Sequence, residues 1–289
     1  MTKLQRRILR AAVEKAKPWL RRKGVVAVGI GQARRGGDWV EGGAHVVVKV
    51  EWKLEADALE RSRREPLPRF IEVTVDGRRH RVSVDVQDTQ GQLAGKLQGC
   101  AGAAVTIDGV LRGGAGPVVR SARGPRLLIS GHVAARAAVL VQVGGLPGQT
   151  EKPIMSRDLD HCLVAPAVAP PADWASLVDG TPLTGVAAVE HLVLGQRLYF
   201  HHSQTGKRVP VVLRDLDVAV PFECHDGIQR VQHLLGTDGG SVMGDSGTLL
   251  YDSSFAAVGT LVGALGDRSY FIACQRAFEL LGLSLIIGI

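Results

Sequence analysis

From Ala103 onward no apolar run in this chain lasts long. Ala103–Ile107, Val118–Arg120, Arg126–Ser130, Ala138–Val143, His161–Ala165, Gln196–Phe200, Val209–Leu213, Val218–Val220, Gly247–Leu250, Ala256–Val262 and Ser269–Ala273 are separated by stretches rich in Gly, Pro and Asp. Segments this short cannot close enough hydrogen bonds to stand as helices. As strands they can share hydrogen bonds across a sheet, with the intervening residues forming tight turns. The 36 glycines supply those turns. The pattern predicts a mainly β fold, a barrel or a sandwich, over the last two thirds of the chain. Phe278–Leu281 reads as a short helical turn, and the apolar end Ser284–Ile289 as a closing strand.

The first 92 residues have a different texture. Leu4, Ile8, Ala11, Ala12, Val13, Ala16 and Trp19 recur at helical spacing over 3–22, opposite a basic face. Val25–Ile30, Ala44–Val50, Phe70–Val75 and His80–Val86 read as strands, with Asp76-Gly77 as a hairpin turn between the last two. Glu55–Arg64 is charged and reads as a loop or an exposed helix, ended by Pro66 and Pro68. These features predict a small α+β domain over 1–92, joined through a connector at 87–99 to the β-rich remainder.

Charge and cysteine narrow the function classes. Residues 1–24 hold nine basic residues against Glu14, so the other 265 residues carry −1 of the total +7. Nucleic-acid binders spread such charge over a face. Here it belongs to one helix, whose expected role is packing on its own domain, with an anionic surface as the weaker reading. Cys100, Cys162, Cys224 and Cys274 are too dispersed for a zinc knuckle or a disulfide scaffold. With no signal-peptide pattern and no run of 18 apolar residues visible in these residues, the expectation is a cytoplasmic protein with reduced thiols.

One turn carries chemistry. In GGSVMGDSGTLL, Gly244-Asp245-Ser246-Gly247 puts a hydroxyl in a turn free enough to aim the N–H groups of Gly244 and Ser246 at one point, as an oxyanion hole requires. The bland reading is an ordinary β-turn. A serine nucleophile needs a base, and the base an orienting carboxylate. His132 follows a strand and a tight Ser-Gly step, while His161, His201, His202, His225 and His233 are further candidates. Asp160 enters the strand DHCLVAP, with Asp158 on the same face as its rival.

LLISGHVA, DLDHCLVA and GGSVMGDSGTLL together resemble, in order, the histidine, aspartate and serine segments of trypsin-like serine proteases of the chymotrypsin superfamily, in a bacterial, intracellular, disulfide-poor form. The order differs from that of α/β-hydrolases and subtilisins. The resemblance implies a double six-stranded β-barrel, the first over 93–195 and the second over 196–289. It implies catalytic His132, Asp160 and Ser246, an oxyanion hole at Gly244 and Ser246, and no metal or cofactor. AAVGTLVGAL resembles the strand that binds substrate backbone, at Leu261, Val262 and Gly263. Ser130-Gly131 before the histidine and Thr248 after the Gly-Asp-Ser-Gly turn depart from the digestive enzymes, and the His-to-Asp interval is only 28 residues.

Six residues before the serine, Gly240 takes the place that lies at the base of the primary pocket in that family, with Met243 lining it. The missing acid implies a neutral or apolar P1 residue, unless Asp238 enters the pocket. The expected activity is a serine endopeptidase acting on peptide or protein substrates. The alternative is a non-catalytic or conditionally active module governed by 1–92, which then holds a regulatory partner. A nucleic-acid or membrane adaptor ranks last, since aromatic residues make up only 4%.

Overall fold

The computed structural model describes residues 1–22, 24–35, 38–39, 43–50, 53–54, 58–59, 65–88, 103–108, 110–134, 138–168, 176–224 and 227–287. Most of the 55–64 stretch, connector residues 89–99, Cys100 and His225 lie outside them.

The chain opens with α1 (Lys3–Ala16), whose Thr2 hydroxyl accepts from Gln5 N–H while the Gln5 side chain accepts from Thr2 N–H, a reciprocal cap. The helical reading to residue 22 overshoots. Pro18 has no N–H to continue the α-helix, and residues 17–21 tighten into a 3-10 turn. Leu9, Ala12, Val13 and Ala16 are buried against the strands that follow.

Those strands are β1 (Val25–Gly31), β2 (His45–Val50), β3 (Phe70–Val75) and β4 (Arg78–Asp88). β3 and β4 form the hairpin expected at Asp76-Gly77, with both turn residues at positive φ, +51° and +73°. β2 runs parallel to β4 and antiparallel to β1.

A closed barrel comes next. β5 (Ala104–Ile107), β6 (Val110–Ser121), β7 (Gly124–Ile129), β8 (Leu140–Val143), β9 (Leu146–Thr150) and β10 (Asp160–Pro166) pair in the order β5-β6-β7-β10-β9-β8, and β8 returns to β5. Val105, Val118, Leu127, Ile129, Val141, Val143 and Val164 fill it. Between β7 and β8 lies a single helical turn, α2 (Gly131–Ala134).

The rest of the chain supplies β11 (Arg197–His201), β12 (Arg208–Cys224), β13 (Gly227–Asp238), β14 (Leu249–Tyr251), β15 (Ala256–Leu265), β16 (Arg268–Ala273) and the helix α3 (Cys274–Leu281). Pairing runs β11-β14-β15-β16-β13-β12 and meets β11 again, the β11–β14 link being the single pair Tyr199↔Tyr251. The sheet does not stop there. β1 pairs with the middle of β12, Val28↔Ala219 through Gly31↔Asp215, so the N-terminal strands continue the same eleven-stranded sheet. The fold is thus mainly β, with one six-stranded barrel and a small N-terminal α+β region. Ser284–Leu285 closes onto β6.

The basic face of α1 is largely occupied. Arg6 donates to the carbonyls of Val189 and Leu192, Arg7 pairs with Asp76, Arg10 with Asp217, and Lys15 donates to Glu72 O. Among the described residues no helix is long and apolar enough to cross a membrane.

Candidate active site

The site is assembled where the barrel meets the second sheet. β7 ends at Ile129. Ser130 is buried, and its hydroxyl crosses to β15, donating to Leu261 O at 3.2 Å. Gly247 N–H donates to the same carbonyl at 2.7 Å, and the Ser246 hydroxyl to the next one, Val262 O, at 3.2 Å. Two successive carbonyls of β15 therefore hold the step before His132 and the turn around Ser246 together. Gly247 has φ +94°, and a Cβ there would fall 2.8 Å from Gly114 O and 3.5 Å from Ser130 N.

His132 is the second residue of α2, and its imidazole is buried. Its Nδ1 lies 2.6 Å from Asp160 Oδ2, and its backbone N–H donates to Asp160 Oδ1 at 2.9 Å. A Cβ on Gly131 would fall 3.0 Å from Asp160 Oδ1 and 3.1 Å from His161 N, so the glycine makes room for this carboxylate. Burial works to raise the Asp160 pKa, but the charge and N–H groups of His132 outweigh it and hold the carboxyl below its usual range. An ionised carboxylate only accepts, so Nδ1 carries a proton, and in the neutral ring Nε2 is then the acceptor. That Nε2 is buried and has no hydrogen-bond partner among the described residues.

Asp158 does not reach His132. It pairs with Arg276 at 2.8 Å, Arg157 at 3.4 Å and His233 at 3.7 Å.

The Gly-Asp-Ser-Gly turn is held from inside. Asp245 is fully buried, and its carboxylate takes His202 Nδ1 at 2.6 Å, Val242 N–H at 2.8 Å and Ser203 N–H at 3.1 Å. Gly244 adopts φ +106°. The N–H groups of Gly244 and Ser246 donate to no acceptor among the described residues.

No family model and no curated protein matches this chain. Solved structures do. A protease from Nocardiopsis aligns with a TM-score of 0.51 at 17% identity, over 66% of this chain and 99% of that one. Protease A from Thermobifida fusca aligns with 0.51 at 16%, over 67% and 100%. A chymotrypsin from Cellulomonas bogoriensis aligns with 0.50 at 20%, over 66% and 99%. The fold is that of the chymotrypsin-like serine proteases.

Within this chymotrypsin-like fold the remaining sequence candidates separate clearly. Gly240, at φ +134°, borders Val209, Val211 and Phe200, the nearest at 3.2 Å from where its Cβ would stand. Asp238 is engaged by Val212 N–H at 2.6 Å and Arg214 at 3.1 Å. Met243 is 70% exposed. Leu261 and Val262 are buried, and a bulge between Leu261 and Gly263 marks the β15 backbone there. Of the other histidines, His161 bonds Thr260 at 2.8 Å, and burial pushes its pKa down to about 4, so it is neutral in the interior. His201 lies stacked on Tyr251. Burial raises the Cys162 and Cys274 thiols to about 12, which leaves no ready thiolate at either. Among the described residues no His, Cys, Asp and Glu grouping could hold a metal ion.

Four contributors escaped the sequence reading: the Ser130 hydroxyl, the His161–Thr260 tie, and the His202 and Ser203 contacts to Asp245. All pair residues over 40 positions apart, which no local spacing signals.

Asp160 and Asp217 both have lowered folded-state pKa values, burial being outweighed by His132 in one and by His233 in the other. A depressed carboxyl adds stability above the unfolded pKa, about 4, and loses it as pH falls through the lower folded value. Thermal melts should show a steady Tm near pH 6 and a falling one below about pH 4.

Proposed function

We propose that this chain is a serine endopeptidase in which Ser246 is the nucleophile, His132 its general base and Asp160 the orienting carboxylate. The observation that carries the reading is the buried His132–Asp160 pair, whose Nε2 has no hydrogen-bond partner among the described residues, stitched by β15 to the Ser246 turn. In the reaction the Ser246 hydroxyl turns from Val262 O to His132 Nε2. Oγ attacks the peptide carbonyl carbon as Nε2 takes its proton. Asp160 stays ionised and stabilises the imidazolium. The carbonyl oxygen gains charge, and the N–H groups of Gly244 and Ser246 receive it. The tetrahedral adduct collapses, the proton passes to the leaving amine, and an ester remains on Ser246. Water, deprotonated by His132, then releases the acid. The six strands from β11 to β16 serve as the second barrel of this arrangement, and neither metal nor cofactor enters the scheme.

Phe200, Val209 and Val211 around Gly240 support an apolar P1 residue, because a charged side chain there would lose its hydration without a partner. Profiling with a peptide library is expected to favour apolar over Lys or Arg P1 by at least about tenfold in kcat/KM. Preferred cleavage after Lys or Arg would place Asp238 in the pocket and overturn this assignment.

A conditional enzyme is the second reading, favoured by one observation: Ser246 is only 3% exposed and its hydroxyl rests on Val262 O rather than on His132. Labelling with a fluorophosphonate probe tests both. A single adduct at Ser246 supports the active enzyme. No adduct on folded protein, with labelling restored by a partner, supports the conditional one.

A further inference from the structure

Outside the proposed triad, a cluster of titratable side chains lines a cavity of about 150 Å³ between α1, β12, β13 and α3. Arg10 of α1 lies 3.6 Å from Asp217 of β12. Asp217 hydrogen-bonds His233 of β13 through Nδ1, and the other ring nitrogen of His233 lies 3.7 Å from Asp158. Arg276 of α3 holds the same Asp158 oxygen at 2.8 Å.

Two further observations mark this cluster as more than surface charge. Asp217 and His233 face each other at a register shift of β12 on β13, and both adopt left-handed backbone, φ +59° and +57°. Such conformations cost free energy in non-glycine residues and collect where a site needs them. A second path also runs beside the first. Lys17 donates to the Gln232 side chain at 3.4 Å, and Gln232 N–H donates to Arg157 O at 2.6 Å.

Both paths end on one rigid turn. Ser156 N–H donates to Leu159 O, while the Ser156 hydroxyl accepts from the N–H groups of Asp158 and Leu159. The next residue is Asp160. A shift of Asp158 thus moves the start of β10 and the carboxylate that holds His132.

We propose that Asp217, His233 and Asp158 are positioning residues that couple the basic N-terminal helix to Asp160, so that the seating of α1 sets the alignment of His132. This rests on Asp160 as the orienting carboxylate of the proposed protease. It gives α1 a role in the reaction without contact with substrate.

The full-length protein is compared with Arg10→Ala, His233→Asn and the double variant, with Arg7→Ala as a control on the same helix, since Arg7 pairs with the distant Asp76. On one peptide substrate with an apolar P1 residue, Arg10→Ala and His233→Asn are each expected to lower kcat about 3- to 20-fold with KM within about twofold. The double variant should lose no more than the larger single loss, Arg10→Lys should recover most of it, and Arg7→Ala should match wild type. In parallel, the low-field NMR resonance of the proton between His132 and Asp160 is expected to shift in Arg10→Ala and His233→Asn but not in Arg7→Ala. Additive losses, changes in KM alone, or an unmoved resonance in folded variants would overturn the coupling. The resonance needs no turnover, so it decides the coupling even if wild type shows no fluorophosphonate reactivity and the protease reading fails.

Discussion

Ser246→Ala is expected to abolish fluorophosphonate labelling and to lower kcat by about 10⁶, the loss seen when a serine nucleophile is removed from such a unit. His132→Ala should cost about as much, and the double variant no more, since in the proposed reaction the two groups act in one step. Asp160→Asn should be milder, about 10⁴, since the amide can donate to Nδ1 and so stabilise the wrong tautomer. Asp158→Asn provides the contrast. Its carboxylate faces Arg276 and not the imidazole, so its loss belongs to the coupling range and not to the triad range. Kinetics on one peptide, with intact mass for the adduct, read all four. A Ser246→Ala enzyme that kept more than about 1% of wild-type turnover would end the assignment.

Asp215→Asn is expected to be the most damaging single change to stability outside the site. Asp215 is buried, and its Oδ2 takes Arg268 Nε at 3.1 Å and Lys49 Nζ at 3.4 Å. Both cations are themselves buried. Burial pushes Lys49 down to about 8 against the pull of Asp215, a sign of how much the ammonium suffers there. Neutralising the carboxylate takes away the partner of Lys49 at 3.4 Å and one of the partners of Arg268, which keeps its pair with Asp267 at 3.2 Å. A broken buried pair costs about 3–5 kcal/mol, which for a chain of this size moves Tm by roughly 10 °C. Lys49→Met removes one cation and leaves Asp215 with Arg268, so its loss should be clearly smaller. Urea unfolding of the two variants gives the comparison. Equal losses would mean that packing, not charge, governs this junction.

Much of the fold was legible because its strands are locally marked. The Asp76-Gly77 turn, the alternation over Val82, Val84 and Val86, and the apolar runs at 104–107 and 256–262 carry their own signals. β13 was not legible. GIQRVQHLLGTD has polar residues where a strand pattern expects apolar ones, because part of that strand faces Asp217, Arg157 and α1 rather than a core. β9, LPGQT, was hidden by its Pro and Gly. At the site, three short motifs pointed to His132, Asp160 and Ser246, with Asp158 left as a rival on the same face as Asp160. The choice follows from Gly131, which leaves space for one carboxylate, and from Arg276, which draws the other away. The attachment of β1 to β12 was equally invisible, since it joins residues about 190 positions apart.

That attachment bears on how the molecule avoids sticking to itself. On one edge β12 is paired first with β11, over 208–212, and then with β1, over 215–219, while β13 follows the other edge. Strip away the first fifty residues and the stretch from Asp215 to Ala219 becomes a bare strand edge with Val218 and Ala219 on it. Unpaired edges of this kind recruit other chains. The pairing of β1 thus covers this edge, and a chain that lost it is expected to aggregate.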